Sequence, residues 1–172
     1  MVLGVFYKSK PNTHKDFLMG LDMYLYANSD FSEHGINQKH YELAVKASKA
    51  EKYLSKHPQE YGSVGIQVRV AYWRKANAIH KYFVENFRDG VDDCREIHVG
   101  RDDLKELLDI CHQVKEDHNK AEELLPTQSG FFFGSTEYDV WYYGEIENTI
   151  KQLTGILEDG SDSWSFVYQA SW

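Results

Sequence analysis

Three prolines and two cysteines in 172 residues already close off several fold classes. So few prolines exclude long polyproline linkers. Cys94 and Cys111 stand seventeen residues apart, and no CxxC pair occurs. A zinc ribbon or thioredoxin-type motif is therefore excluded, and a reduced cytosolic pair is the default reading. No apolar run approaches the ~18 residues that span a bilayer. Neither GxGxxG nor GxxxxGK[ST] occurs, so the standard dinucleotide and mononucleotide fingerprints are missing. His34, His40, His57 and His98 are scattered and form no HExxH-type set, so neither a metal nor another cofactor is expected. Positive charge is also scarce. Nineteen Lys and Arg face twenty-seven Asp and Glu, a net charge of -8. Such a surface repels duplex nucleic acid and suits docking on a basic partner.

What the chain does have is apolar and aromatic surface. Hydrophobic residues make up 42%, enough for one domain with a real core. Twelve Tyr, nine Phe and four Trp supply large side chains that fill cores or stack on flat ligands.

Residues 1–18 are polar, turn-rich and weakly patterned, and read as an extension, with Met19 an alternative start. The N-terminus places its apolar patch before its lysines, the wrong order for a signal peptide. Leu21, Met23 and Leu25 alternate with Asp22, Tyr24 and Tyr26, a strand period. "NSDFSEHGIN" reads as a loop, and residues 39–57 as a surface helix or mobile arm ending before Pro58. In residues 61–73 Ile66, Val68 and Val70 alternate with Gln67, Arg69 and Ala71, which predicts a second strand. Residues 74–87 read as a helix with Ala76, Ile79, Phe83 and Phe87 inward. "DGVDDC" reads as a turn and residues 95–99 as a short strand. The clearest helix is 101–117, with Leu104, Leu107, Leu108, Cys111 and Val114 on one face and Asp102 and Asp103 at its positive end. Residues 137–159 carry a second helical stripe, and "WSFVYQASW" alternates like a closing strand. The sum is a single α+β domain over 19–172, about four helices on a small, mostly antiparallel sheet of three to five strands.

Two stretches carry candidate chemistry. On a helix, "WRKANAIH" would place Trp73, Asn77 and His80 on one stripe with Arg74 beside it. A cation, an indole and two hydrogen-bonding groups suit a phosphate and a base; the same mixture also suits a half-buried helix with no ligand. In "LLPTQSGFFFGST" (124–136) an extended backbone would turn Phe131 and Phe133 one way and Phe132 the other. One aromatic face would be core, while Thr127, Gln128, Ser129 and Phe131 rim a cleft. Asp92 and Asp93 with His80 allow a metal-dependent hydrolase, although a polar turn accounts for the two carboxylates more simply. A Cys94–His80 nucleophile pair has no recognisable signature.

The stretches "MGLDMYLYA", "VAYWRKANAIHKYFVEN", "DGVDDC", "DDLKELLDIC" and "LLPTQSGFFFGSTEYD" together resemble a family of small, uncharacterised bacteriophage-encoded proteins. The resemblance implies a phage accessory protein acting in the host cytoplasm, with counter-defence as the expected role, and implies no reaction. The leading expectation is binding, without turnover, of a small anionic, nucleotide-like ligand. The alternative is an acidic inhibitor that covers a host defence protein. Homo-oligomers are compatible with either, and no membrane partner is expected.

Overall fold

The computed structural model describes residues 20–32, 38–49, 63–158 and 164–172. The expected 1–18 extension lies outside these residues. Four strands form one antiparallel sheet: β1 (Asp22–Ser32), β2 (Ser63–Arg74), β3 (Ile97–Val99) and β4 (Ser165–Ser171), in the order β2-β1-β4-β3. Among the described residues there are five α-helices: α1 (Gln38–Ser48), α2 (Asn77–Arg88), α3 (Arg101–Glu116), the single turn α4 (Ala121–Leu124) and α5 (Val140–Glu158). The fold is α+β, as the mixed periodicities indicate.

The described chain falls into two units, the smaller comprising 28–68. There Tyr41 and Val45, one turn apart on α1, are buried with Val64 of β2, and Phe31 and Ala44 pack against them. A thin stripe thus suffices to anchor α1. The span 28–32, expected to be loop, is strand instead. Its backbone ladder is made regardless of polar side chains, because strand propensity is a weak and context-dependent term.

Of the described residues, the larger unit comprises 20–27, 69–158 and 164–172 and holds the main core. Leu21, Met23 and Leu25 are fully buried, as their alternation indicates. In β2 the expected strand is present, but its face of larger aliphatic residues is not the covered one. Ile66 and Val68 are exposed, whereas Ala71 and Trp73 are buried. Alternation identifies two faces but not which of them is covered, and β2 is an edge strand. The helix expected from residue 74 begins at Asn77, because β2 continues to Arg74 and Lys75 then turns with φ of +59°.

α3 buries Leu104, Leu107, Cys111 and Val114, while Leu108 is only partly covered. Burial pushes the Cys111 thiol up to about 12, so it is a packing group rather than a nucleophile. Asp103 accepts the Gly100 N–H at 2.7 Å and stabilises the positive end of α3. α3 packs along α5, whose Tyr142, Ile146, Thr149 and Leu153 are buried. β4 pairs with β3 through Ile97↔Tyr168 and Val99↔Phe166. It lies inside the sheet between β1 and β3, so Val167 is buried as well as Phe166, Tyr168 and Ala170.

Leu107→Ala is expected to cost about 2–5 kcal/mol in chemical denaturation, and Leu108→Ala less than about half of that. Equal losses at both positions would contradict the buried face described here.

Candidate functional site

Asn77 opens α2 with its side chain buried. Its Nδ2 donates to the carbonyls of Phe133 (3.1 Å) and Ser135 (2.8 Å). Its Oδ1 accepts the Gln128 N–H at 3.1 Å. One amide therefore satisfies three backbone groups of a segment that has no ladder of its own. Thr127 closes the same segment, its Oγ1 donating to the Thr136 carbonyl at 3.0 Å. Residues 126–139 form a strapped loop, and the extended backbone expected for 130–134 is a turn instead. Phe133 is buried and touches His80 edge-on, Phe132 is partly buried, and Phe131 is 94% exposed at the turn.

This loop, the β2–α2 junction and α5 enclose a cleft of about 330 Å³. One wall is the run from Arg74 to Ile79, the second the segment from Gly134 to Asp139, and the third Trp141, Tyr142, Glu145 and Ile146 of α5. Two left-handed residues meet at its edge. Lys75 (φ +59°) and Gly134 (φ +89°) lie so close that a Cβ on Gly134 would be 3.2 Å from the Lys75 Cβ. A positive φ is unfavourable for lysine, and such strain concentrates at functional sites. The Lys75 N–H, bonded to the Leu21 carbonyl at 2.8 Å, helps hold it.

The cleft lining has mixed charge. Arg74 and Lys75 oppose Glu137, Asp139 and Glu145. Asp139 is engaged at the start of α5, where its Oδ1 accepts the N–H groups of Trp141 (2.9 Å) and Tyr142 (3.1 Å). The first turn of α2 has no side-chain cap, and Ala78 and Ile79 of that turn line the cleft. Glu145 is half-buried, and desolvation pushes its carboxyl above the usual glutamate range. A hydrogen bond from Asn148 at 3.3 Å offsets this only in part.

The eight residues expected to bind ligand are not brought together. Arg74 and Asn77 line the cleft. Trp73 is core: it lies on β2, and its Nε1 donates to Thr149 Oγ1 at 2.9 Å. His80 is 1% exposed, with Nδ1 at 2.7 Å from the Tyr168 hydroxyl and Nε2 at 2.8 Å from Asp92. Both ring nitrogens are engaged, so neither is left for a Cys94 thiol. Asp93 forms ion pairs with Arg88 and Arg95, the Arg95 contact holding its carboxyl below the usual range. Thr127 and Gln128 brace the loop, while Ser129 and Phe131 face solvent, and none of these four lines the cleft. The expected cleft of these eight residues is not formed because it assumed a helix through 73–80 and an extended backbone through 130–134.

Lys75, Glu137, Asp139, Trp141 and Glu145 are the charged and indole lining residues absent from the sequence-based candidates. Trp141 is 78% exposed. Trp141 and Glu145 each immediately precede an inward residue, Tyr142 and Ile146, so helical spacing alone places them at the edge of the buried stripe. No group of His, Cys, Asp and Glu able to hold a metal ion occurs among the described residues. Comparison with family models, curated proteins and solved structures gives no match.

Two outcomes follow from this geometry. Asn77→Ala leaves three loop backbone groups without their partner and is expected to lose about 1–3 kcal/mol in denaturant titration. Loss below about 0.5 kcal/mol would show that the amide is not the clamp. Glu145 binds its proton more tightly folded than unfolded, so its contribution to stability falls as pH rises through the carboxylate range. Glu145→Gln should therefore raise the melting temperature at pH ~7, and the gain should vanish at pH ~3, below the ordinary glutamate pKa of about 4.3.

Proposed function

We propose that the cleft holds a small phosphorylated, nucleotide-like ligand without turning it over. The observation that carries this reading is the convergence of three features on one cavity. Lys75 and Arg74 beside the uncapped first turn of α2, the exposed Trp141 indole, and the carboxylates of Glu137, Asp139 and Glu145 all line it. Cations and helix N-terminal amides suit a phosphate. Trp141 offers a face for a base. Glu137 and Glu145 accept hydrogen bonds from sugar hydroxyls or base N–H groups. At about 330 Å³ the cleft lies at the small end of ligand sites. Three carboxylates against two cations favour a monophosphate rich in donors over a polyphosphate.

Binding without turnover is the reading because the groups best suited to catalysis are otherwise occupied. His80 is bonded at both nitrogens, and Asp93 is ion-paired. A phage counter-defence role, with the ligand a nucleotide signal of the host, rests on the motif resemblance alone. The second reading, an inhibitor of a host defence protein, draws on Phe131. A 94% exposed phenylalanine on a turn is an unusual surface feature and a suitable anchor for a partner pocket. No helix of the described residues is long and apolar enough to cross a membrane.

Calorimetry with the nucleoside monophosphates separates the readings. Wild type should bind at least one, and Lys75→Ala or Arg74→Ala should weaken binding by roughly tenfold or more, the worth of a charge-assisted hydrogen bond. Phe131→Ala should leave binding unchanged. No binding of any monophosphate, together with loss of counter-defence activity in Phe131→Ala, would replace the ligand reading with the inhibitor.

A further inference from the structure

We propose that Glu145 makes the cleft selective for guanine among the bases; this rests on the nucleotide reading above. Trp141 and Glu145 are four residues apart on α5, and both line the cleft. Positions spaced i, i+4 lie on one stripe with Cβ atoms roughly 5–6 Å apart. A base stacked on the Trp141 face would therefore present an edge towards the Glu145 carboxylate, with its phosphate at Lys75 and the first turn of α2, which line the same cleft.

A carboxylate has two acceptor oxygens and no donor. It is best matched by two parallel N–H groups on one rigid edge, as in bidentate pairs. Guanine presents such an edge through its N1–H and its N2 amino group. Hypoxanthine lacks the amino group and offers one donor. Adenine and cytosine set a ring nitrogen acceptor beside their amino group, and uracil flanks its N–H with two carbonyls, so each brings a lone pair against a carboxylate oxygen.

Two features show that Glu145 is not fully used within the fold. Asn148 reaches Glu145 Oε2 at 3.3 Å, beyond the usual N–H···O range of 2.7–3.2 Å. The carboxyl is also held partly desolvated and raised above its usual pKa, an arrangement that opposes folding at neutral pH. A half-buried acid kept against stability is the pattern of a binding group. Glu137 and Asp139 match less well: Asp139 receives the α5 amides, and Glu137 lies on the exposed loop.

The test is calorimetry of wild type and Glu145→Gln with GMP, IMP, AMP, CMP and UMP, with melting curves confirming that both proteins are folded. GMP should bind wild type at least about tenfold tighter than IMP or AMP, the worth of one hydrogen bond to a charged group. In Glu145→Gln, GMP should fall to the level of IMP while AMP should not weaken, because the amide can donate to the adenine ring nitrogen and accept from its amino group. If nucleotides bind wild type but GMP shows no preference, or if the preference survives Glu145→Gln, the guanine assignment is overturned and the nucleotide site stands. If none of the five binds wild type, both are overturned. L-Arginine, which carries the same paired N–H edge, is the remaining arm; binding tighter than GMP would move the ligand out of the nucleotide class and overturn the assignment.

Discussion

The Asn77 side chain is the constraint on which the cleft depends. A buried amide must be satisfied, and here all three of its partners are main-chain groups of the 126–139 loop. The loop in turn supplies one wall of the cavity, and its Phe132 carbonyl accepts the Leu21 N–H at 3.1 Å. The first turn of α2, the start of β1 and the loop are thus fixed together by hydrogen bonds that the loop could not make with itself. Glutamine would carry the same groups on a longer stem and aspartate would lose both donors, so the arrangement is specific to asparagine.

Elsewhere the polar groups of the larger unit are closed on one another. Asp92, His80 and Tyr168 form a bonded chain joining the 89–94 turn, α2 and β4, and Trp172 adds a contact to Asp92 at 3.3 Å. Trp73 donates to Thr149, which donates to the Glu145 carbonyl. The Gln152 amide spans the Tyr72 N–H and carbonyl, completing the sheet edge at that residue. Such fully bonded networks contribute rigidity and a unique core. Against that background the cleft stands apart, because Glu145 and the first turn of α2 are incompletely served from within.

Much of this fold is legible in the sequence. The alternation of Leu21, Met23 and Leu25 and the 3.6-residue stripe of α3 each encode burial on one face, and burial dominates their energetics. What was not legible depended on backbone geometry that carries no periodicity. Lys75 adopts a left-handed conformation without being glycine, so nothing in "WRKAN" signals that the strand runs on to Arg74. Three consecutive phenylalanines suggest a strand, yet their fates differ, from buried Phe133 to exposed Phe131. Tertiary hydrogen bonds from Asn77 decide this, and they come from a residue some fifty positions away. The sequence pointed to the neighbourhood of the site through Arg74 and Asn77. It placed Trp73 and His80 wrongly because a polar-aromatic residue reads the same in a core as in a pocket.

The central claim is that the cavity between the β2–α2 junction, the 134–139 segment and α5 is where a small phosphorylated molecule binds. Heteronuclear NMR of the labelled protein, titrated with an equimolar mixture of the common nucleoside monophosphates, tests this at residue resolution. The account predicts saturable shifts confined to 74–79, 134–139 and 141–146, with the Trp141 indole N–H among those that move most. An unchanged spectrum, or shifts confined to residues away from this cavity, would contradict it.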